Sequence, residues 1–165
     1  MKETINITTI FHCHTDYKTL LQQFKRILKN SNLKFTKQRE LILNELFNAK
    51  NHLTSEELHK ILQTNYPNIK IGIATVYRTL SFLESENFVT TIISEKEAKK
   101  YELSAKEHHD HIICQDCDKI VEFVNEEIEQ LQNSIAESLG FKVKNHSMQI
   151  FGICAECQKN IKEKI

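Results

Sequence analysis

Apolar side chains in the first half of the chain recur at the spacing of amphipathic helices. Residues 17–29 predict one helix, which Asn30-Ser31-Asn32 is expected to end. Thr36 is the predicted N-cap of a second helix. Thr54 and Glu57, three residues apart, predict a capping box at the start of a third helix. The apolar positions of the second and third helices are Ile42, Leu43, Leu46, Phe47, Leu58, Ile61 and Leu62.

A fourth helix and a β-hairpin complete the first half. The helix is predicted to begin near Ile73 or Ala74. Residues 88–93 are rich in β-branched side chains, and Tyr101-Glu102-Leu103 follows a charged stretch, which predicts two antiparallel strands. Helices followed by a hairpin indicate a winged helix-turn-helix. The inward positions of the fourth helix are Val76, Leu80 and Leu83.

The second half is predicted to be small, so that the fold class is α+β. Strands are expected over residues 108–114 and 120–124. Asn125 can cap a helix that Gly140 ends, and residues 141–154 alternate as a third strand. The predicted divisions are a flexible extension over residues 1–16, a winged-helix domain over residues 17–103 and a smaller domain over residues 104–165.

Composition and charge narrow the class of protein. Of the 165 residues, 40% are apolar and 27% are charged, as in soluble globular proteins. With no apolar run near the roughly 20 residues of a membrane span and no secretory signal, we expect a cytoplasmic protein. Residues 1–88 hold 12 basic and 8 acidic side chains, whereas residues 89–165 hold 10 and 14. A basic half suggests nucleic acid as a partner, although such an imbalance also arises by chance.

Four of the five cysteines form two Cys-x-x-Cys pairs, Cys114 with Cys117 and Cys154 with Cys157. Two such pairs can supply the tetrahedral sulfur cage that structural Zn²⁺ prefers, and four protein ligands leave no open position for chemistry. A strand–helix–strand segment would return the second pair to the first. The alternatives are four unconnected thiols or a thioredoxin-like redox motif, although neither pair is predicted to open a helix within a βαβ unit.

A histidine-rich tetrapeptide, His108-His109-Asp110-His111, precedes the first cysteine pair. Alternate side chains of a strand point to opposite faces, so this segment could serve two metal sites, or it could be a solvated polar loop. Imidazole and carboxylate together suit Fe²⁺, Mn²⁺, Co²⁺ or Zn²⁺. One candidate set comprises His52, Glu102, His109, His111 and Glu122, and the other comprises His108, Asp110, Glu129 and His146.

The fourth helix is a candidate reader of DNA. Tyr77, Arg78 and Ser81 are predicted to face outward, where arginine can bind phosphate or guanine and an aromatic ring can contact a thymine methyl group. An ordinary solvated helix face has the same pattern. A zinc hydrolase is the alternative from another class, but the chain lacks the His-x-Glu and the proline before a cysteine pair that zinc deaminases use.

Taken together, these motifs resemble the ferric uptake regulator family from about Leu33 to Cys157. The segments that carry the resemblance are Leu33-Lys-Phe-Thr-x-x-Arg39, Gly72-Ile-Ala-Thr-Val-Tyr-Arg78, Tyr101-Glu-Leu103, His108-His-Asp-His-x-x-Cys-x-x-Cys117, Asn145-His-Ser147 and Cys154-x-x-Cys157.

The resemblance implies a metal-responsive repressor whose N-terminal winged helix binds a double-stranded DNA operator. It implies a C-terminal dimerisation domain, a homodimer or tetramer, structural zinc at the four cysteines, and neither a membrane nor a small organic substrate as partner. The first histidine set would be the regulatory site and the second an additional metal site. Tyr77 and Arg78 would contact the major groove, and Lys34 the minor groove.

Glu102 and Glu122 favour the iron-responsive members, because the peroxide sensors of the family tend to have aspartate at these positions. A peroxide, zinc or manganese sensor is the alternative within the family, and a constitutive zinc-structured DNA-binding protein is the alternative outside it. Two features depart from the family pattern. Gln38 stands where proline is common, and the long N-terminal extension carries Phe11-His-Cys13-His14, which could bind metal.

Overall fold

The computed structural model of the chain describes residues 16–93, 98–106, 108–144 and 146–162. These residues divide into two compact units, the first ending at Lys106 and the second beginning at His108. The histidine–cysteine segment of the N-terminal extension lies outside the described residues. No helix in the described part of the chain is long and apolar enough to cross a membrane.

Four helices build most of the first unit. They are α1 (Tyr17–Asn30), α2 (Lys37–Asn48), α3 (Ser55–Asn65) and α4 (Ile73–Ser85). The predicted caps are confirmed. The Thr36 side chain accepts a hydrogen bond from the Arg39 N–H, and Thr54 and Glu57 form both hydrogen bonds of a capping box.

A three-stranded sheet closes the first unit. The predicted hairpin is confirmed as β2 (Val89–Ile92) antiparallel to β3 (Lys100–Leu103), and a short strand, β1 (Leu53–Thr54), also pairs with β3. Strand β1 was not predicted, because two residues are too few to show alternation. The sheet and the four helices share one apolar core, in which the rings of Phe24 and Phe88 lie 6.3 Å apart.

The departure at Gln38 has a local structural role. Gln38 lies in the first turn of α2, and its side-chain amide donates a 2.7 Å hydrogen bond to the carbonyl of Lys70. This bond connects the start of α2 to the segment between α3 and α4. Proline has no side-chain donor and could not make this connection.

The second unit comprises three strands and two helices, in the sheet order β5-β4-β6. Strand β4 pairs antiparallel with β5 and parallel with β6. As predicted, the Asn125 side chain caps the helix after β5, and Gly140 follows it with a φ of 79°, a conformation that suits glycine. The elements are β4 (Asp110–Cys114), β5 (Ile120–Phe123), α5 (Glu126–Ser138), β6 (Gln149–Gly152) and α6 (Ala155–Lys162).

Two strands of the second unit, the central strand β4 and the edge strand β6, are shorter than predicted. The strand expected from residue 108 begins at Asp110, because its partner strand ends at Phe123 and the chain then turns into α5. The strand expected over residues 141–154 is confined to Gln149–Gly152. Just before it, the Met148 N–H donates to the Asp110 carboxylate at 3.0 Å, so a side chain receives this bond rather than a neighbouring strand.

The second cysteine pair opens a helix that was not predicted from the sequence. The carbonyl of Cys154 accepts a 3.0 Å hydrogen bond from the Gln158 N–H, and Cys157 lies in the first turn of α6. The sequence after Cys154 is mostly polar and short, so its helical period was not evident. Among the described residues, no strand follows α6, and the βαβ arrangement of a thioredoxin-like motif is not formed there.

The capping box of α3 yields a stability prediction. Replacing Thr54 with alanine removes the acceptor for the Glu57 N–H and should lower the free energy of unfolding by about 1 kcal/mol. Urea denaturation followed by circular dichroism at fixed metal content measures this change. Thr54→Ser keeps the hydroxyl and should retain most of the stability. Equal stability of the alanine and wild-type proteins would contradict the role of this cap.

Candidate metal centres and nucleic-acid surface

The four paired cysteines lie together at one end of the second unit. Their sulfur atoms are all within 4.8 Å of one another. The Sγ atoms of Cys114 and Cys157 are 3.9 Å apart, and those of Cys117 and Cys154 are 3.8 Å apart. A tetrahedral zinc ion with bonds of about 2.3 Å requires sulfur separations of about 3.8 Å. The cluster therefore fits Zn²⁺ without rearrangement of these two pairs.

Topology explains how distant cysteines meet. Cys114 ends β4, and the following turn carries Cys117, while Cys154 and Cys157 lie at the junction of β6 and α6. Because β6 runs parallel to β4, the carboxyl ends of both strands lie side by side. The predicted strand–helix–strand return of the second pair is confirmed as β5, α5 and β6.

The thiols of this cluster favour a bound cation. Hydrogen bonds from backbone N–H groups, foremost that of Cys154, lower the pKa of Cys114 to about 6. Hydrogen bonding with the neighbouring thiols of Cys154 and Cys117 raises the pKa of Cys157 above its ordinary value. Several thiolates so close together repel one another, and a divalent cation would allow all four to ionise.

A second cluster lies between the start of β4 and helix α5 of the same unit. The Glu129 carboxylate lies 3.1 Å from the Nε2 atom of His108 and 3.1 Å from that of His146. Asp110, which is 1% exposed, lies 3.9 Å from His108 Nε2. Two imidazoles and two carboxylates converge within 4.8 Å, which is a donor set that fits a first-row divalent cation.

Three further predicted ligands gather elsewhere in the second unit. The rings of His109 and His111 are 4.8 Å apart, and His109 Nε2 lies 3.8 Å from the Glu122 carboxylate. His111 and Glu122 are also direct partners in the β4–β5 ladder. Side chains of residues 108–111 alternate between this group and the preceding cluster, so one segment supplies both.

The first unit holds the remaining two predicted ligands as a buried pair. His52 and Glu102 are 8% and 5% exposed, and His52 Nε2 lies 3.2 Å from one Glu102 oxygen. Thr90 donates to the same oxygen at 3.5 Å, and the Lys106 ammonium lies 3.3 Å from the other. Lys106 was not predicted as a site residue, although its position four residues after Glu102 is typical of a local ion pair.

Helix α4 presents the predicted DNA-reading side chains to solvent. Tyr77 is 44% exposed, and Arg78 is exposed with its Nε donating back to the Ala74 carbonyl at 3.1 Å. Lys34 is exposed as well, and the Arg39 guanidinium donates to its carbonyl. These three cations line a groove of about 450 Å³, whose other residues include Thr36, Thr75 and Thr79.

Two residues on this surface were not predicted as functional. Arg39 donates a hydrogen bond to the Lys34 carbonyl and lines the groove, but it was predicted only as part of a motif. Glu56, in the first turn of α3, accepts a hydrogen bond from the Tyr77 hydroxyl. The sequence signal for Glu56 was its position: a carboxylate in the first turn of one helix of a helix-turn-helix can meet an aromatic hydroxyl on the next helix.

Comparison with known proteins gives this arrangement a family. The sequence pattern of the ferric uptake regulator family matches residues 30–151. The chain belongs to that family. The resemblance found in the motifs is thereby confirmed, and the match covers both units of the fold.

Members of the family resemble this chain over most of its length. The ferric uptake regulation protein of Campylobacter jejuni is 46% identical over 152 residues, which cover 92% of this chain and 96% of the relative. The solved Helicobacter pylori ferric uptake regulator, reported to have three functional metal-binding sites, is 39% identical with a TM-score of 0.77, covering 88% of this chain and 95% of its own. The Francisella tularensis regulator, solved with iron, is 37% identical with a TM-score of 0.64 and covers 76% and 95%. The predicted α+β fold with a winged helix and a four-cysteine cluster is confirmed.

The cysteine cluster generates a prediction about metal content. The protein should hold about one Zn²⁺ per chain through weak chelators, and Cys→Ser at position 114, 117, 154 or 157 should lose it. Loss of the metal should also destabilise the second unit, because metal binding there is coupled to folding. Elemental analysis and thermal unfolding measure both effects. Cys13→Ser is the matched control and should keep its zinc; a quadruple variant with unchanged stability would contradict the prediction.

Proposed function

We propose that this protein is a metal-responsive transcriptional repressor that binds operator DNA as a homodimer and turns off metal-uptake genes when ferrous iron is bound. The main support for this proposal is that one small unit has an exposed Tyr77–Arg78 helix face and also a buried His52–Glu102 pair. The same fold that would read DNA therefore holds two candidate ligands for a divalent metal. Such a protein acts in the cytoplasm, where its operators are.

DNA contacts are assigned to the first unit, residues 17–103 in the predicted division. Tyr77 and Arg78 read base edges in the major groove, and Lys34 reaches the minor groove. Their support is exposure and charge, since Lys34, Arg39 and Arg78 share one groove. The operator is double-stranded and near-palindromic because the reader is a two-fold dimer.

The regulatory metal is assigned to His52 and Glu102 from the first unit and His109, His111 and Glu122 from the second. Support comes from each half by itself, since each brings its own ligands within about 3 to 5 Å. Imidazole and carboxylate accept Fe²⁺ and also Mn²⁺, Co²⁺ or Zn²⁺. A bound divalent cation would supply the positive charge that these ligands share. In its absence, the Lys106 ammonium and the His52 imidazole are the neighbours of the buried Glu102 carboxylate.

Zinc at Cys114, Cys117, Cys154 and Cys157 is assigned a structural role, because four protein ligands leave no position for a substrate. The set of His108, Asp110, Glu129 and His146 is assigned to an additional metal ion. Because the four cysteines would fill every position on the zinc, we infer a regulator rather than a zinc hydrolase. We infer no small organic substrate.

Dimerisation is assigned to the second unit, residues 104–165 in the predicted division. Helix α5 has no buried side chain among its residues, and the apolar Leu131, Ile135 and Leu139 are 52–69% exposed. Across the sheet, Val121, Ile112 and Ile150 form a register-aligned row with 39–47% exposure. Apolar surface of this extent favours a second copy of the chain. The protein is a dimer in this proposal, and a tetramer would form from two such dimers.

Metal dependence is the first test of this function. Mn²⁺, an air-stable substitute for Fe²⁺, should raise operator affinity of the wild type by about 5-fold to 150-fold, the usual range of coupling between sites. A His109→Ala/His111→Ala variant should lose this response and keep its zinc. Fluorescence anisotropy of labelled duplex measures the affinity.

The matched control removes two histidines from the other cluster, with His108→Ala/His146→Ala, and should retain much of the response. Equal DNA binding with and without Mn²⁺ in the wild type would instead indicate a constitutive zinc-structured DNA-binding protein. Loss of binding after peroxide, with an oxidised histidine, would indicate a peroxide sensor.

Operator contacts are the second test. Tyr77→Ala and Arg78→Ala should each weaken operator binding by roughly 1–3 kcal/mol if their side chains make good base contacts. Lys34→Ala should weaken binding to all sequences and reduce its salt dependence, because a cation near phosphates releases counterions. Titrations at several salt concentrations separate these effects. Unchanged affinity of all three variants would place the DNA elsewhere.

A further inference from the structure

The hydroxyl of Tyr77 is held by a side chain from a different helix. Tyr77 extends from α4, and its hydroxyl donates to the carboxylate of Glu56 in the first turn of α3. Tyr77 is 44% exposed, so packing alone leaves the direction of its ring weakly determined. A hydrogen bond at the far end of the ring fixes the direction that packing does not.

Glu56 is available for this bond because the adjacent residue caps the helix. The capping box of α3 is formed by Thr54 and Glu57, with distances of 3.1 Å and 2.8 Å. Glu56 takes no part in that box, although its charge is favourable near a helix N-terminus.

The bond joins an ionised acceptor to a neutral donor. Hydrogen bonding from Tyr77 lowers the pKa of Glu56 below its ordinary value, and the same bond raises the pKa of Tyr77. Near neutral pH the carboxylate is therefore charged and the phenol protonated. Hydrogen bonds of this kind are stronger than those between neutral groups.

We propose that Glu56 is a positioning residue for DNA recognition, which holds the Tyr77 ring in the direction from which it reads a base and so raises the preference for operator over unrelated DNA. The inference rests on the proposed role of Tyr77 at the operator. When the ring contacts a base, it loses conformational freedom, and holding it in place beforehand reduces that entropy cost. On unrelated DNA the ring contacts no base, so holding it in place does not strengthen binding.

The measured quantity is the ratio of operator affinity to affinity for an unrelated duplex of equal length. The operator is a duplex selected from random sequences by the wild-type protein with Mn²⁺. Removing the Glu56 charge should strengthen binding to both duplexes, because DNA is an anion, but this effect largely cancels in the ratio. The ratio therefore reports the positioning of the ring rather than the net charge.

Glu56→Ala should lower this ratio by roughly twofold to tenfold, as expected from releasing one side chain. Glu56→Gln keeps an acceptor oxygen and should restore most of the ratio. Tyr77→Phe should lower the ratio as Glu56→Ala does, and the double variant should lower it no further, because both changes break the same bond. In Glu56→Ala, NMR titration of labelled tyrosine should show the Tyr77 pKa closer to its ordinary value.

The chain offers a matched control in a second tyrosine–glutamate pair. The Tyr66 hydroxyl donates to Glu45 at 2.7 Å, and this pair joins α2 to the end of α3. Glu45→Ala makes the same chemical change away from α4 and should leave the ratio unchanged. It also shows what general loss of stability does to DNA binding.

Several results would overturn the proposal. An unchanged or higher ratio in Glu56→Ala, or a lower ratio equally present in Glu45→Ala, would show that Glu56 does not position the ring. Additive losses in the double variant would show that Glu56 acts without Tyr77. If the wild type selects no operator, the proposed function itself is wrong. If the wild type selects an operator and the Glu56 variants have the same affinity ratio as the wild type, only the positioning role of Glu56 is wrong.

Discussion

Burial of apolar surface is unequally divided between the two units. The first unit encloses a core of leucine, isoleucine and phenylalanine side chains from four helices and a sheet. In the described part of the second unit, five residues are buried, of which only Ile113 and Cys114 are apolar. A unit this small gains little stability from its own core and depends on cross-links or association. The cysteine cluster can supply a cross-link through a bound metal, and the exposed apolar face of α5 can supply association.

In each of the two units, candidate metal ligands are already bonded to neighbouring side chains. Glu129 receives both His108 and His146, and Glu102 lies between His52 and Lys106. These contacts hold ligands near one another before any cation arrives, because buried carboxylates require neighbouring positive charge or donors. Metal binding in such a network replaces existing bonds, so affinity reflects a difference between two bonded states.

Sequence patterns predicted those parts of the fold whose causes are local. The caps at Thr36, Thr54 and Asn125 depend on residues three or fewer positions away and were all predicted. Strand ends depend on partners distant in sequence, so the late start at Asp110 and the short β6 could not be predicted. Site residues were named from spacing and resemblance, whereas the contacts of Glu56 and Lys106 depend on side-chain positions that periodicity does not encode.

The parallel pairing of β6 with β4 has a consequence for synthesis on the ribosome. Cys117 and Cys154, neighbours in the folded cluster, are 37 positions apart along the chain. At roughly 5–20 residues per second, the first cysteine pair is synthesised about 2–7 s before the second. Until the second pair follows it out of the ribosome, the first pair lacks the thiols with which it forms the cluster, and oxidants can react with it. The order of translation thus makes the assembly of this cluster sensitive to the redox state of the cell in which it is made.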